Sequence, residues 1–226
     1  MAKQVMTPQE EALAQAQAQT ENFFEKHSKA VVIAMIAIFV LAAAIFGYKK
    51  LVSEPRMQAA QEMLYKAQYQ FEQQNADLAL ALNGDENTPG FAQVAEQYGN
   101  TPAGNLANLY AAACSIRLGE VEAAESYLAK FKNVKGTPGE IINAMAAGLK
   151  GDIAVEAGDN AKAASLFESA AAVSDNDFTA PMYLRKAALA YRALGNTAKA
   201  DELLKTIVEK YPASYDSTQA ERYLTG

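Results

Sequence analysis

The chain holds one cysteine, one histidine and no tryptophan among its 226 residues. A single thiol permits no disulfide within the chain, so folding cannot rely on one. A zinc site needs several Cys, His or acidic ligands converging on one point. Cys114 and His27 lie on opposite sides of a long apolar run and cannot supply that set. The same separation leaves Cys114 without the neighbouring base that activates a nucleophilic thiol. Among Ala111, Ala112, Ala113 and Ile116 it reads as a small buried side chain. The sequence also lacks a GxxxxGK[ST] phosphate loop and a GxSxG elbow, and its carboxylates are scattered rather than paired for acid–base work. No cofactor and no enzyme is expected. Basic residues are scarce as well: residues 51–226 carry 15 Lys and Arg against 22 Asp and Glu. That balance disfavours nucleic acid, whose binding depends on phosphate neutralisation.

Against these absences stands one long apolar run, AVVIAMIAIFVLAAAIFGY, which opens at Ala30 and closes at Tyr48. As a helix it extends roughly 28 Å, near the hydrocarbon thickness of a bilayer. Lys26 and Lys29 precede it, Lys49 and Lys50 follow it, and Phe46 and Tyr48 suit one interface. A cleaved signal peptide would have a short basic leader and a shorter apolar stretch. Here 29 residues come first, with Glu10, Glu11, Glu21 and Glu25 among them, so an uncleaved single-pass anchor is expected. Flanking charge leans weakly toward a cytoplasmic C-terminus: Lys26 and Lys29 stand against Lys49, Lys50 and Arg56.

The rest of the chain is self-similar. Three segments share a small residue, a glycine seven later, a small residue five further on and a large apolar residue four beyond. They are Ala112, Gly119, Ala124, Leu128; Gly151, Gly158, Ala163, Phe167; and Ala188, Gly195, Ala200, Leu204. The glycine ends one helix in a left-handed conformation, the small residues let two antiparallel helices approach, and the large residue fills the core between them. Each unit is therefore a helix hairpin. The glycines are 39 and then 37 residues apart, a spacing that signals stacked helical repeats. The pattern resembles the tetratricopeptide repeat, whose usual period is about 34; the surplus is expected in connections at residues 132–136 and 173–178. Thr101-Pro102 and Thr137-Pro138-Gly139-Glu140 read as helix starts, the second with capping-box spacing. An earlier, degenerate unit is legible in Phe91, Val94 and Tyr98-Gly99, with a first helix over residues 57–74. A final cap helix is expected over residues 217–224. The fold class is thus all-α: one N-terminal transmembrane helix, then a right-handed, tetratricopeptide-repeat-like solenoid.

Such a solenoid exposes a concave face built from the first helix of each hairpin, suited to peptide segments. By repeat position that face would carry Leu109 and Arg117 from the first hairpin, and Met145, Asp152 and Glu156 from the second. The third would add Met182, Arg185, Leu189 and Arg192. Exposed Met and Leu beside mixed charge suit adaptable polypeptide contact.

Nearly the whole chain resembles the YfgM-like ancillary subunits of the bacterial Sec translocon. The shared marks are an acidic leader with Phe23-Phe24 and Lys29-Ala30 before the span, Tyr98-Gly99-Asn100 and Gly104 before one hairpin, and Gly151-Asp152 with Gly158-Asp159-Asn160 in the next. The resemblance implies a cytoplasmic segment over residues 1–29, an inner-membrane span over 30–48, a juxtamembrane linker over 49–55 and a periplasmic repeat domain over 56–226. It also implies partners: the Sec channel subunits, a PpiD-type membrane-anchored periplasmic chaperone, and unfolded exported polypeptides. A static envelope scaffold that joins membrane complexes without binding clients, or an adaptor acting through residues 1–29, fits the same residues.

Overall fold

A computed structural model describes residues 7–73 and 76–225 and divides the chain into two compact units, residues 1–55 and 56–226. Residues 1–6 of the expected leader, Gln74 of the expected first repeat helix, and the side chains of Glu10, Glu11 and Phe24 fall outside what is described. The described residues form helices, with no strand beyond an isolated bridge between Gly84 and Pro89.

The first unit is dominated by α1 (Pro8–Tyr48), a single helix that takes in the leader and the apolar run together. Its most apolar 18-residue window has a mean hydropathy of 2.9 and no buried residue, so this helix is long and apolar enough to be a membrane span. After Tyr48 the backbone stays helical, as a π-turn over Lys49–Ser53. The segment expected as a linker is thus wound. Its wider turn ends two residues before Pro55, which can offer no N–H to a regular α-helical ladder and whose ring crowds the preceding turn.

The second unit is a stack of helices. It begins with α2 (Glu54–Phe71), followed by α3 (Leu78–Asn83), α4 (Phe91–Tyr98), α5 (Pro102–Arg117) and α6 (Val121–Lys130). Then come α7 (Thr137–Glu156), α8 (Asn160–Ala171), α9 (Thr179–Ala193), α10 (Thr197–Lys210) and α11 (Tyr215–Thr225). Helices α5/α6, α7/α8 and α9/α10 are the three hairpins, and each first helix also packs on the next first helix, α5 on α7, α7 on α9 and α9 on α11. At the hairpin corners Gly119, Gly158 and Gly195 have φ of 78°, 74° and 76°. In each corner the residue after the glycine donates back to the carbonyl five earlier, Glu120 to Ser115, Asp159 to Ala154 and Asn196 to Tyr191. This is the Schellman closure, and that same residue is the N-cap of the second helix. One residue therefore joins the two helices.

The recurring small and large positions make the core. Ala112, Ala124, Ala163, Ala188, Ala200 and Leu204 are fully buried, and Phe167 and Leu128 nearly so. Gly151 lies against the Phe167 ring, where a Cβ would come within 2.5 Å of it. In the degenerate first unit Ala60, Leu64 and Ala67 of α2 share a core cluster with Phe91 and Val94 of α4, both fully buried. Between them α3 is an insertion, capped by Asp77 Oδ1 accepting from the Ala79 and Leu80 N–H groups.

One expected cap does not form. Thr101 accepts from the Gly104 N–H as anticipated, but α7 starts a residue early, with Gly136 at φ 81° as its N-cap and no side-chain capping bond. Thr137 is already helical, so its hydroxyl is no longer at the capping position. The α6–α7 connection explains the shift: it runs up to the first turn of α7, where a Cβ on Gly139 would meet the Val134 carbonyl oxygen at 2.0 Å.

Candidate protein-binding groove

The C-terminal halves of α5 and α7 and the middle of α9 enclose a groove of about 630 Å3. Its walls include Ile116 and Arg117 from α5, Leu149, Asp152, Val155 and Glu156 from α7, and Lys186 from α9. Three of the nine residues expected on the concave face, Arg117, Asp152 and Glu156, thus come together.

Arg117 is exposed, with its guanidinium carbon 5.9 Å from the centre of the Phe71 ring. Glu156 is exposed one helical turn from Asp152. Both carboxylate oxygens of Asp152 accept from Lys186 Nζ, at 2.7 and 2.9 Å. That ammonium also lies 5.3 Å from the centre of the Phe167 ring and 5.9 Å from that of Tyr183. Burial, and secondarily the Asp152 charge, push the Tyr183 phenol well above its ordinary pKa, so it stays neutral. The groove therefore offers charge of both signs beside apolar side chains. Among the described residues no group of three or more His, Cys, Asp or Glu side chains gathers as metal ligands.

The other expected residues lie elsewhere. Met145 is 38% exposed outside this groove, and Met182 and Leu189 are half-buried on α9. Arg185 donates from Nε to Asp216 Oδ1 on α11 at 2.5 Å. Arg192 donates to Asp201 Oδ1 at 3.0 Å and to the Tyr223 carbonyl at 2.7 Å. These two arginines are occupied in holding the last helices. Leu109 is only 4% exposed and belongs to the core with Ala112, Ile116, Ala146 and Ile153. It was expected on the surface, but it lies three residues before Ala112 and seven before Ile116, on the very stripe of α5 that packs against α7.

Lys186 is the charged groove residue that repeat position alone did not supply. Its signal was present: it follows Met182 by four and precedes Leu189 by three, which puts it on their helical face.

A family model described as a tetratricopeptide repeat-like domain matches residues 21–139, and a tetratricopeptide repeat model matches residues 183–214. The first covers more than half of the chain, including the apolar run; the second falls on α9 and α10. No curated protein and no solved structure matches the chain. Stacked helix hairpins of this kind are protein-interaction scaffolds, with one N-terminal helix here as a candidate membrane span. The chain belongs to the tetratricopeptide repeat-like family.

Proposed function

We propose that this is a non-enzymatic, single-pass protein of the bacterial inner membrane whose repeat domain, residues 56–226, binds newly exported polypeptides on the periplasmic side of the Sec translocon. In this reading residues 1–29 are cytoplasmic, 30–48 span the membrane and 49–55 connect the two. Its partners are the channel subunits and a PpiD-type periplasmic chaperone. The reading is supported by the resemblance of the leader, span and hairpin corners to the YfgM-like subunits, and by a family match that takes in the apolar run and the first hairpin together. The observation that carries client binding is the groove itself, where two basic side chains, Arg117 and Lys186, and two acidic ones, Asp152 and Glu156, stand beside Leu149 and Val155. A mixed lining of this kind favours weak and unselective contact. The anchor compensates by holding the groove where chain emerges, so effective concentration replaces intrinsic affinity.

A second reading, a static scaffold between folded complexes, is favoured by one observation: Asp152, Arg185 and Arg192 are all bonded within the chain. In-cell photo-crosslinking from probes at Lys50, Met145 and Glu156 separates the two. Channel subunits captured at Lys50, with many unrelated exported chains at Met145 and Glu156, support the translocon reading. One folded partner at Met145 and Glu156 and no channel subunit supports the scaffold.

A further inference from the structure

The α6–α7 connection is extended and gripped from one side only. Asn105 on α5 pairs with both backbone groups of Lys132, donating from Nδ2 to its carbonyl and accepting from its N–H, each at 2.7 Å. Asn143 on α7 treats Val134 in the same way, at 2.9 and 2.8 Å. A carboxamide that matches the N–H and C=O of one residue imitates a neighbouring strand, and two such pairs at alternate residues require the chain between them to be extended. The N–H and C=O groups of Asn133 and Lys135 therefore point to the opposite edge. Among the described residues they have no hydrogen-bond partner, and both residues are exposed.

We propose that this edge is a second binding site, which takes an extended acidic polypeptide as an added β-strand. An edge that offers N–H and C=O at alternate residues is complementary to another extended backbone and to little else. Charge selects its side chains. Lys130, Lys132 and Lys135 lie in one nine-residue stretch, 128–136, that contains no acidic residue, in a domain with an acidic excess. None of the three, nor Lys150 nearby, has an ion-pair partner among the described residues. Hollows flank the segment on both sides. One of about 410 Å3 is lined by Leu106, Val134 and Ile142, and one of about 250 Å3 by Phe131, Ala147 and Val173, with Asn133 at the rim of both. No residue of this edge lines the groove between α5, α7 and α9, so the two sites are independent.

The test uses full-length protein in detergent and a fluorescein-labelled hexapeptide of alternating Val and Glu, read by anisotropy. Saturable binding is expected, with Val/Lys and scrambled-charge peptides much weaker. Lys135→Pro removes a free N–H that no native bond uses together with one of the three charges, and is expected to weaken binding by about tenfold more than Lys135→Ala, which removes the charge alone and keeps the backbone hydrogen bond. Should the proline variant melt early, the unaltered protein with a peptide N-methylated at alternate residues gives the same comparison. Glu156→Lys, in the groove, should leave the affinity unchanged. The proposal is overturned if the Val/Glu peptide does not bind, if N-methylation leaves its binding intact and Lys135→Pro binds as well as Lys135→Ala, or if Glu156→Lys abolishes it.

Discussion

At the scale of single residues, the three hairpin corners are a natural substitution series. Glu120, Asp159 and Asn196 have nearly the same backbone angles, φ −90°, −87° and −86° with ψ 67°, 74° and 69°. Asp159 and Asn196 each accept from the N–H three residues on, but Glu120, one methylene longer, makes no capping bond. Glu120→Asp should therefore stabilise the domain by about 0.5–1 kcal/mol, read as a rise in the urea midpoint at constant slope. Cys114 makes a second residue-level prediction. Burial pushes its thiol pKa up to about 11, only partly opposed by the Arg117 charge, against about 9 in an exposed chain. Because the folded value is the higher, its contribution is intact below pH 9 and is lost as pH rises through 11. The decline in stability across that window should be shallower in Cys114→Ala, and a maleimide should label the native protein only after unfolding. Residues of this kind were legible because the corner and the small-residue stripe repeat along the sequence. Gly148 was not: it lies under the Tyr183 ring, 2.0 Å from where its Cβ would be, and nothing local pairs residue 148 with residue 183.

At the scale of elements, α11 closes the stack through a partly buried ion pair, and its worth can be separated from that of a surface pair. Asp216 is buried, and the Arg185 side chain it receives is 23% exposed. Removing the carboxylate strands that cation, so Asp216→Ala should cost about 2 kcal/mol. Asp175 and Lys210, whose side chains are 64% and 53% exposed, give the contrast; Lys210→Ala should cost distinctly less, because solvent screens an exposed pair. Thermal melts of the two variants side by side check the order, and equal losses would refute it. The hairpins, the two longer connections and the closing helix could be anticipated because each is written in a glycine, a capping residue or a proline. The insertion α3 carried signals too, Asp77 before and Gly84 after the run Leu-Ala-Leu-Ala-Leu, but it breaks the repeat and so is invisible to a search for repetition. The grip of Asn105 and Asn143 on residues 132 and 134 was beyond reach, because side chains that bond a backbone leave no periodic trace.

At the scale of the whole molecule, the weakest specification of the proposed function is which side of a membrane the domain would occupy. Two lysines before the apolar run face two lysines and Arg56 after it, so the flanks nearly balance and orientation should respond to small changes in them. The expected topology puts the repeat domain outside the cytoplasm. In a Cys114→Ala background, Asp177→Cys and Gln9→Cys place single thiols at exposed positions beyond and before the span. An impermeant maleimide applied to cells with a permeabilised outer membrane should label position 177 and spare position 9. Exchanging Lys49 and Lys50 for Gln removes the charge that opposes this orientation and should leave labelling complete, whereas exchanging Lys26 and Lys29 should lower it. The reverse pattern, position 9 labelled and position 177 protected, would place the groove among cytoplasmic proteins. Client capture at the secretion channel would then be untenable, while strand addition at Asn133 and Lys135, which depends only on the domain, would stand.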